Sequence, residues 1–583
     1  MPNGVSYHWT FYKNLIKGVY FRMEKLVPKL FTCLKTYSKE QLVKDIISGI
    51  IVAIIALPLS IALALASGVT PEKGIYTAII AGFVISFLGG SKVQISGPTA
   101  AFATIVAGII AQYGMNGLVL ATIMAGLILV LMGLFRLGNL IKFIPYTITT
   151  GFTAGIAVTI FIGQLKDFFG LTIHSKEPLI ETTSKFIAAM KAMDTLNWQA
   201  LLVGLISIAI LIIWPRLFSR IPASLIAVIA GILCVRFLPL KVNTIGDLYQ
   251  ISNHLPSFHF PTLSLHQISI MLPSAFTIAI LASIESLLSC VVSDSMINGK
   301  HRSNMELIAQ GAGNIASALF GGIPATGAIA RTAANVKNGG RTPVSGMVHS
   351  VVLLLILVVL MPYAALIPMP TIAAILFIVA YNMSGWRQFL SLLKKSPESD
   401  ITVLVVTFIL TVFFDLVVAI EIGLALAVVL FMKRMSDETE VASWIYADEE
   451  EDADSLSLRT VPEGTFVYEI TGPLFFGMTD KILSITLNEQ DHCLILRMRG
   501  VNALDASGLH ALDQLFESCK AKDIYLILVH VNQQPMKVME KAGFIDKLGS
   551  ESIQPHIDDA LSFAETLVSH KQKKKKGALS NIY

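Results

Sequence analysis

One carboxylate stands apart from every other in this chain. Glu285 is the single charged residue of the apolar run 273–292, PSAFTIAILASIESLLSCVV. A carboxylate at mid-depth of a membrane helix costs about 2.5–3.5 kcal/mol on insertion scales, so one that is kept there points to function. In such surroundings a carboxyl can take up and release a proton usefully near neutral pH. A second signal follows in Phe320-Gly-Gly-Ile-Pro-Ala-Thr-Gly-Ala-Ile-Ala-Arg331, a glycine- and proline-broken apolar stretch. Unwound backbone survives at membrane depth only where it lines a cavity or is buried in protein. Together they read as a transporter's substrate site.

The break has a counterpart earlier in the chain. Val93-Gln-Ile-Ser alternates like a short strand, Gly97-Pro98 interrupts it, and an uncharged helix starts at Thr99 and runs to about residue 112. That helix is too short to span, and Pro is favourable at a first helical turn. The later copy, Gly322-Ile-Pro-Ala-Thr-Gly-Ala-Ile, repeats the strand–break–helix order. Each half-helix turns backbone N–H groups and the positive end of its dipole into the membrane. If the two starts face one another, they form an anion site.

The elements that must position these residues are membrane helices. Of 583 residues, 54% are hydrophobic and 14% charged, against about 25% charged in soluble domains. Hydropathy gives about 14 segments, two of them half-length. The half-helices are third in the first seven and third in the second seven. An odd repeat length inserts the second copy from the opposite side, which makes a seven-plus-seven inverted repeat. The fold class expected is therefore an all-α polytopic membrane domain. Loops after even-numbered crossings carry Lys92, Arg136, Lys142, Arg216, Arg220, Lys300, Arg302, Lys337, Arg341, Arg387, Lys394, Lys395, Lys433 and Arg434. The opposite side carries Lys73, Lys166, Lys176, Lys185, Lys191, Arg236 and Lys241. The richer side is assigned to the cytoplasm, so both termini are expected inside.

Composition sets the remaining boundaries. Residues 1–42 form a cytoplasmic lead-in without a signal-peptide layout, and 43–435 the transport domain. An acidic, solvated linker follows at 436–461, including Asp448-Glu-Glu-Glu-Asp-Ala-Asp454. From 462 to 570, alternating strand and helix patterns predict an α/β domain. A basic tail, 571–583, is expected to be disordered and weakly attracted to anionic lipid. The cysteines Cys33, Cys234, Cys290, Cys493 and Cys519 lack metal-ligand spacing and read as packing residues or free thiols. No nucleotide-binding or hydrolase motif stands in the right context. Neither a metal, a cofactor, an enzymatic activity nor a nucleic-acid partner is expected.

The residues resemble the sulfate-permease (SulP) family of anion transporters, whose cytoplasmic tail is a STAS domain. The resemblance spans roughly residues 40–570 by the order of its motifs. Its markers are Ser96-Gly-Pro-Thr-Ala100, Ile284-Glu-Ser-Leu-Leu-Ser289, His301-Arg-Ser-Asn304, Glu306-Leu-Ile-Ala-Gln-Gly311, Gly321-Gly-Ile-Pro-Ala-Thr326 and Ile329-Ala-Arg-Thr332. Each is weak alone, and their order makes them specific. Gly472-Pro-Leu-Phe-Phe476 and Gln164-Leu-Lys-Asp-Phe168 look most like bacterial C4-dicarboxylate members. Sulfate and bicarbonate members share most of the other markers.

The resemblance implies a dimer with core and gate parts, an elevator motion, and a location in the cell's inner membrane. It places the anion between Thr99, Ala100, Ala101 and Phe102 on one side and Gly327, Ala328 and Ile329 on the other. It places the coupling group at Glu285, with Ser289 four residues on. A sodium-coupled bicarbonate member has Asp and Thr at these positions. The difference favours H+ over Na+ as coupling ion. In regulatory STAS proteins the serine of Leu504-Asp-Ala-Ser-Gly-Leu509, here Ser507 beside Asp505, is phosphorylated by a protein partner.

Several residues keep two readings. Glu285 is a transport group or half of a neutralised structural pair with Arg331. Arg331 is that partner or a substrate-side cation. Thr99 caps its helix or contacts the anion, and the two are compatible. Ser507 is a phosphosite or only a helix cap. The function expected is proton-coupled anion symport. The alternatives are sodium-coupled bicarbonate symport, an exchanger or channel, and, in a different class, a membrane sensor that signals through the STAS domain.

Overall fold

The computed structural model describes residues 26–139, 145–173, 181–218, 221–238, 240–249, 251, 254–261, 264–414, 416–443, 461–487 and 492–580. The start of the lead-in, Lys142, Lys176, Arg220 and the acidic run 448–454 lie outside them. The chain divides into two compact units, Met1–Leu424 and Ala425–Tyr583.

The principal helices are α1 (Lys39–Ala66), α2 (Pro71–Leu88), α3 (Ala100–Leu134), α4 (Tyr146–Gly163), α5 (Trp198–Leu217), α6 (Ala223–Phe237) and α7 (Leu265–Ile297). They continue as α8 (Ser303–Leu319), α9 (Ile329–Lys337), α10 (Val344–Ala364), α11 (Met369–Ser384), α12 (Glu398–Phe413) and α13 (Leu416–Asp437). Among the described residues, eight helical stretches are long and apolar enough to cross a bilayer. α3 is two helices joined at Gly114, whose φ of 66° and ψ of −169° suit a residue without Cβ. With α3 counted twice, the fourteen expected segments are all present. The second half-helix, α9, is only 9 residues long.

Packing sorts these helices into two groups. α1, α2, α3, α7, α8, α9 and α10 contact one another, with α3 against α7 and α8 and α10 against α1 and α2. α4, α5, α6, α11 and α12 form the second group around the α4–α12 and α4–α11 contacts. Three local details complete this part of the fold. α1 continues through Pro58 because burial of its faces outweighs one lost backbone bond. The polar stretch after α4 holds a helix at Thr182–Lys191. Another helix, Trp386–Lys395, separates α11 from α12. Both are short and amphipathic, so hydropathy tuned to spans passes over them.

The second unit has a five-stranded sheet in the order β3-β4-β5-β6-β7; β1 and β2 belong to the first unit and are described below. β4 (Thr465–Thr471), β5 (Cys493–Gly500), β6 (Tyr525–Val529) and β7 (Ile553–Gln554) are parallel, and β3 (Glu440–Ser443) adds an antiparallel edge. Alternate residues of the central strands serve opposite faces. Leu494, Leu496, Leu526 and Leu528 pack with Ala511, Leu512 and Leu515 of α14 (Ala506–Ala521) and with Met539 of α15 (Gln533–Lys541). Ile495, Ile527 and Val529 pack with Ile557, Ala560, Leu561 and Ala564 of α16 (Ile557–Ser580). Burial pushes the Cys493 and Cys519 thiols up to about 12, which fits packing residues.

Two expectations are corrected here. Residues 440–443, assigned to a solvated linker, form the edge strand β3. Residues 571–580 of the tail, expected to be disordered, continue α16. The apolar residues of its first turns dock the helix, and lysine is a good helix former that lets it run on.

Candidate functional site

A two-residue ladder holds the half-helices together. β1 (Ser96–Gly97) pairs antiparallel with β2 (Thr326–Gly327), Ser96 opposite Gly327 and Gly97 opposite Thr326. The Ala328 N–H extends the ladder to the Ile95 carbonyl at 2.9 Å. α3 begins directly after β1, and α9 directly after β2, with Thr99 and Ala328 as the extended residues before the first turns. Neither end has a side-chain cap. The free N–H groups of both starts are therefore open to a ligand.

Thr99 does not cap its helix. Its hydroxyl donates to Oε2 of Glu285 at 2.9 Å, linking α3 to α7. Glu285, Thr99 and Ala328 are half-buried, and Ile329 is exposed; Ala100, Ala101, Phe102, Gly327 and Ser289 are buried. Ser289 turns away from Glu285 and donates to Thr332 Oγ1 at 3.4 Å. Arg331 is buried, and its Nη2 donates to the Pro98 carbonyl. Its Nη1 has no hydrogen-bond partner and lies 2.6 Å from where a Cβ on Gly97 would stand. Any other residue at 97 would push the guanidinium aside. Arg331 and Glu285 are not joined by an ion pair. They hold adjacent residues of the first break, Arg331 the Pro98 carbonyl and Glu285 the Thr99 hydroxyl.

Residues that the sequence reading named only within family markers, or not at all, hold this geometry. Ser286, next to Glu285, accepts from Gly327 N–H at 3.1 Å and shares a 2.7 Å hydrogen bond with Thr326. Asn314 accepts from Ala325 N–H at 2.8 Å and donates to the Ala325 carbonyl at 2.9 Å. Glu306 is fully buried on α8. Its Oε2 accepts from the N–H groups of Gly90 and Ser91 at 2.9 and 3.1 Å. Its Oε1 accepts from the Gln94 and Gln310 amides at 2.8 and 2.9 Å. Gln94 lies two residues before β1, so Glu306 anchors the approach to the first break. His349 of α10 is also fully buried, and neither ring nitrogen has a hydrogen-bond partner among the described residues.

In the second unit, Asp505 rather than Ser507 caps α14. Its Oδ1 accepts from Gly508 N–H at 2.8 Å, and its Oδ2 from Phe476 N–H at 3.2 Å. Ser507, half-buried in the first turn, is not needed for the cap. Asp294, near the end of α7, is partly buried and accepts from both the N–H and the ring of His301 at 2.7 Å.

Comparison with known proteins agrees with this architecture. The sequence model of the Sulfate permease family matches residues 42–407, and that of the STAS domain matches residues 458–560. YvdB of Bacillus subtilis (strain 168), which carries the name of a sulfate transporter, is 42% identical over 530 residues, covering 90% of this chain and 98% of its own. The bicarbonate transporter BicA of Picosynechococcus sp. (strain ATCC 27264 / PCC 7002 / PR-6) is 29% identical over 540 residues, 89% of this chain and 94% of its own. The structure of the murine anion transporter Slc26a9 in its inward-facing state superposes with a TM-score of 0.84 at 20% identity, over 93% of this chain and 94% of that one. At that identity the likeness establishes the fold. The chain belongs to the sulfate permease family, and it is a multi-pass membrane transporter with a C-terminal STAS domain rather than an enzyme.

Proposed function

We propose that this protein imports a small anion by secondary active transport, with the anion held between the starts of α3 and α9 and a proton carried on Glu285. The observation that carries the reading is the Thr99–Glu285 hydrogen bond. It joins the coupling carboxylate to the first residue of the anion site. When Glu285 is ionised, the Thr99 hydroxyl donates to it, and the carboxylate charge repels an incoming anion. Protonation removes that charge and turns the carboxyl into a donor. The Thr99 hydroxyl is then free to donate to the anion, beside two helix N-termini that each contribute roughly half a positive charge. Arg331 adds a fixed buried cation behind the break. Proton and anion thus bind each other's favoured state, which is the requirement for symport.

The names of the relatives favour sulfate or bicarbonate as substrate, and the C4-dicarboxylate motifs keep that class in play. Ser289 is engaged by Thr332, which leaves Glu285, among the described residues, with the Thr99 hydroxyl as its hydrogen-bond partner and supports H+ over Na+. The elevator motion proposed moves the α1–α3 and α7–α10 group against the group around α4 and α11. The assembly proposed is a homodimer in the inner membrane, with both termini cytoplasmic and a protein partner at the STAS domain. Competition uptake in proteoliposomes with sulfate, succinate, fumarate and bicarbonate at two pH values tests the reading. One anion class should compete, and uptake should rise when the outside is acidified. Uptake indifferent to all four anions, or to pH, contradicts it.

A further inference from the structure

The helix Trp386–Lys395 is a membrane-proximal element with no role in the site. Gly385, at a φ of 54°, ends α11 and starts this helix, and Pro397 precedes α12, so it is a separate element between two membrane helices. Trp386, Phe389, Leu390, Leu392 and Leu393 fall on one helical face, and Arg387, Gln388, Ser391, Lys394 and Lys395 on the other. None of its ten residues is buried. Phe389 docks on Phe408 of α12 with ring centroids 5.2 Å apart, which fixes the orientation of the apolar face. Trp386 and Leu390 remain 43% and 44% exposed at the border with the cations. The Arg387 guanidinium stands 5.3 Å from the Trp386 ring centre.

We propose that this helix is a binding site for anionic phospholipid: the acyl chain lies along Trp386 and Leu390, and Arg387, Lys394 and Lys395 hold the headgroup. The exposed apolar residues along most of α5 are distributed differently. On α5, Leu202, Leu205, Ile212 and Ile213 are exposed with no Lys or Arg among residues 198–215, as hydrocarbon contact requires. Only at the level of the headgroups does an exposed tryptophan–leucine pair benefit from three adjacent cations. The acidic residues nearest in sequence, Glu398 and Asp400, come after Pro397 and open α12, so the cationic face of the helix carries no acidic residue of its own. Each cation close to an anionic leaflet adds up to about a fivefold preference.

The test uses the full-length protein in liposomes containing lipids with brominated chains. The Trp386 signal is taken as the fluorescence difference between wild type and Trp386→Phe. Brominated phosphatidylglycerol is expected to quench this signal at a several-fold lower mole fraction than brominated phosphatidylcholine. High salt should shrink the preference, and the R387Q/K394Q/K395Q variant should abolish it while remaining quenched by both lipids. Equal quenching of the wild type by the two lipids overturns the proposal. So does absence of quenching by either, which means that protein, such as a second copy or the cytoplasmic domain, covers the helix.

Discussion

Two glutamates on neighbouring helices have opposite surroundings. Glu306 on α8 is fully enclosed and accepts four hydrogen bonds, two from backbone N–H groups and two from glutamine amides. Glu285 on α7 is half-buried and accepts one, from a threonine hydroxyl at the mouth of a half-helix. A carboxylate whose acceptor sites are filled by fixed donors is committed to its place. One with a single rotatable donor has a choice of proton state. On the proposed reading, this contrast in hydrogen bonding is what distinguishes a structural acid from the coupling one.

The largest expected effect is on the structural side. Glu306→Ala leaves four donors facing no acceptor, and the loss of stability should be on the order of 3–5 kcal/mol. Thermal unfolding of the detergent-purified variant checks this; a melting temperature near wild type would remove the distinction between the two acids. Next comes the second half-helix. Ala328→Glu puts a carboxylate at the start of α9, where it should occupy or repel the anion site, so calorimetry should find substrate affinity lost. Wild-type affinity in this variant would mean that α9 does not form the site.

A smaller loss is expected at the first half-helix. Thr99→Val removes one hydroxyl and leaves the backbone N–H groups, so affinity should fall by about 1–3 kcal/mol. It should also blunt the pH dependence of binding, because the hydroxyl is what Glu285 and the anion share. Smaller still is Ser507→Glu in the STAS domain. Asp505 retains the cap and a negative charge suits a helix start. The domain should keep its fold and substrate binding should persist, with transport rate or partner binding altered. Abolished substrate binding would show tighter coupling to the membrane unit.

Much of this arrangement was legible in the sequence for a simple reason. Glu285 is conspicuous because it is alone in an apolar run, and the breaks are conspicuous because Gly97-Pro98 and Pro324 interrupt apolar stretches. Their pairing as β1 and β2 follows from inverted repetition. The supporting shell was not legible. Glu306 and Gln310 lie on an amphipathic helix where polar residues are ordinary, and their partners at Gly90, Ser91, Gln94 and Ser96 are more than 200 positions away. Asn314 and Ser286 look like small polar residues on any helix face. The Thr99–Glu285 contact joins two residues that sequence reasoning had picked separately, and only the packing of α3 on α7 brings them together. Thr99, read as a helix cap or an anion contact, has no side-chain cap bond, and its hydroxyl donates to Glu285 instead.

The most direct measurement is made on Glu285→Gln in proteoliposomes, comparing two modes of the same protein. Substrate counterflow needs only binding and the conformational change; accumulation against a gradient needs the proton. A glutamine keeps the size and a donor toward Thr99 but has no proton to release, like a carboxyl fixed in its neutral form. Counterflow should therefore persist while accumulation driven by a pH gradient disappears. Accumulation unchanged from wild type would contradict the assignment of Glu285 as the coupling group.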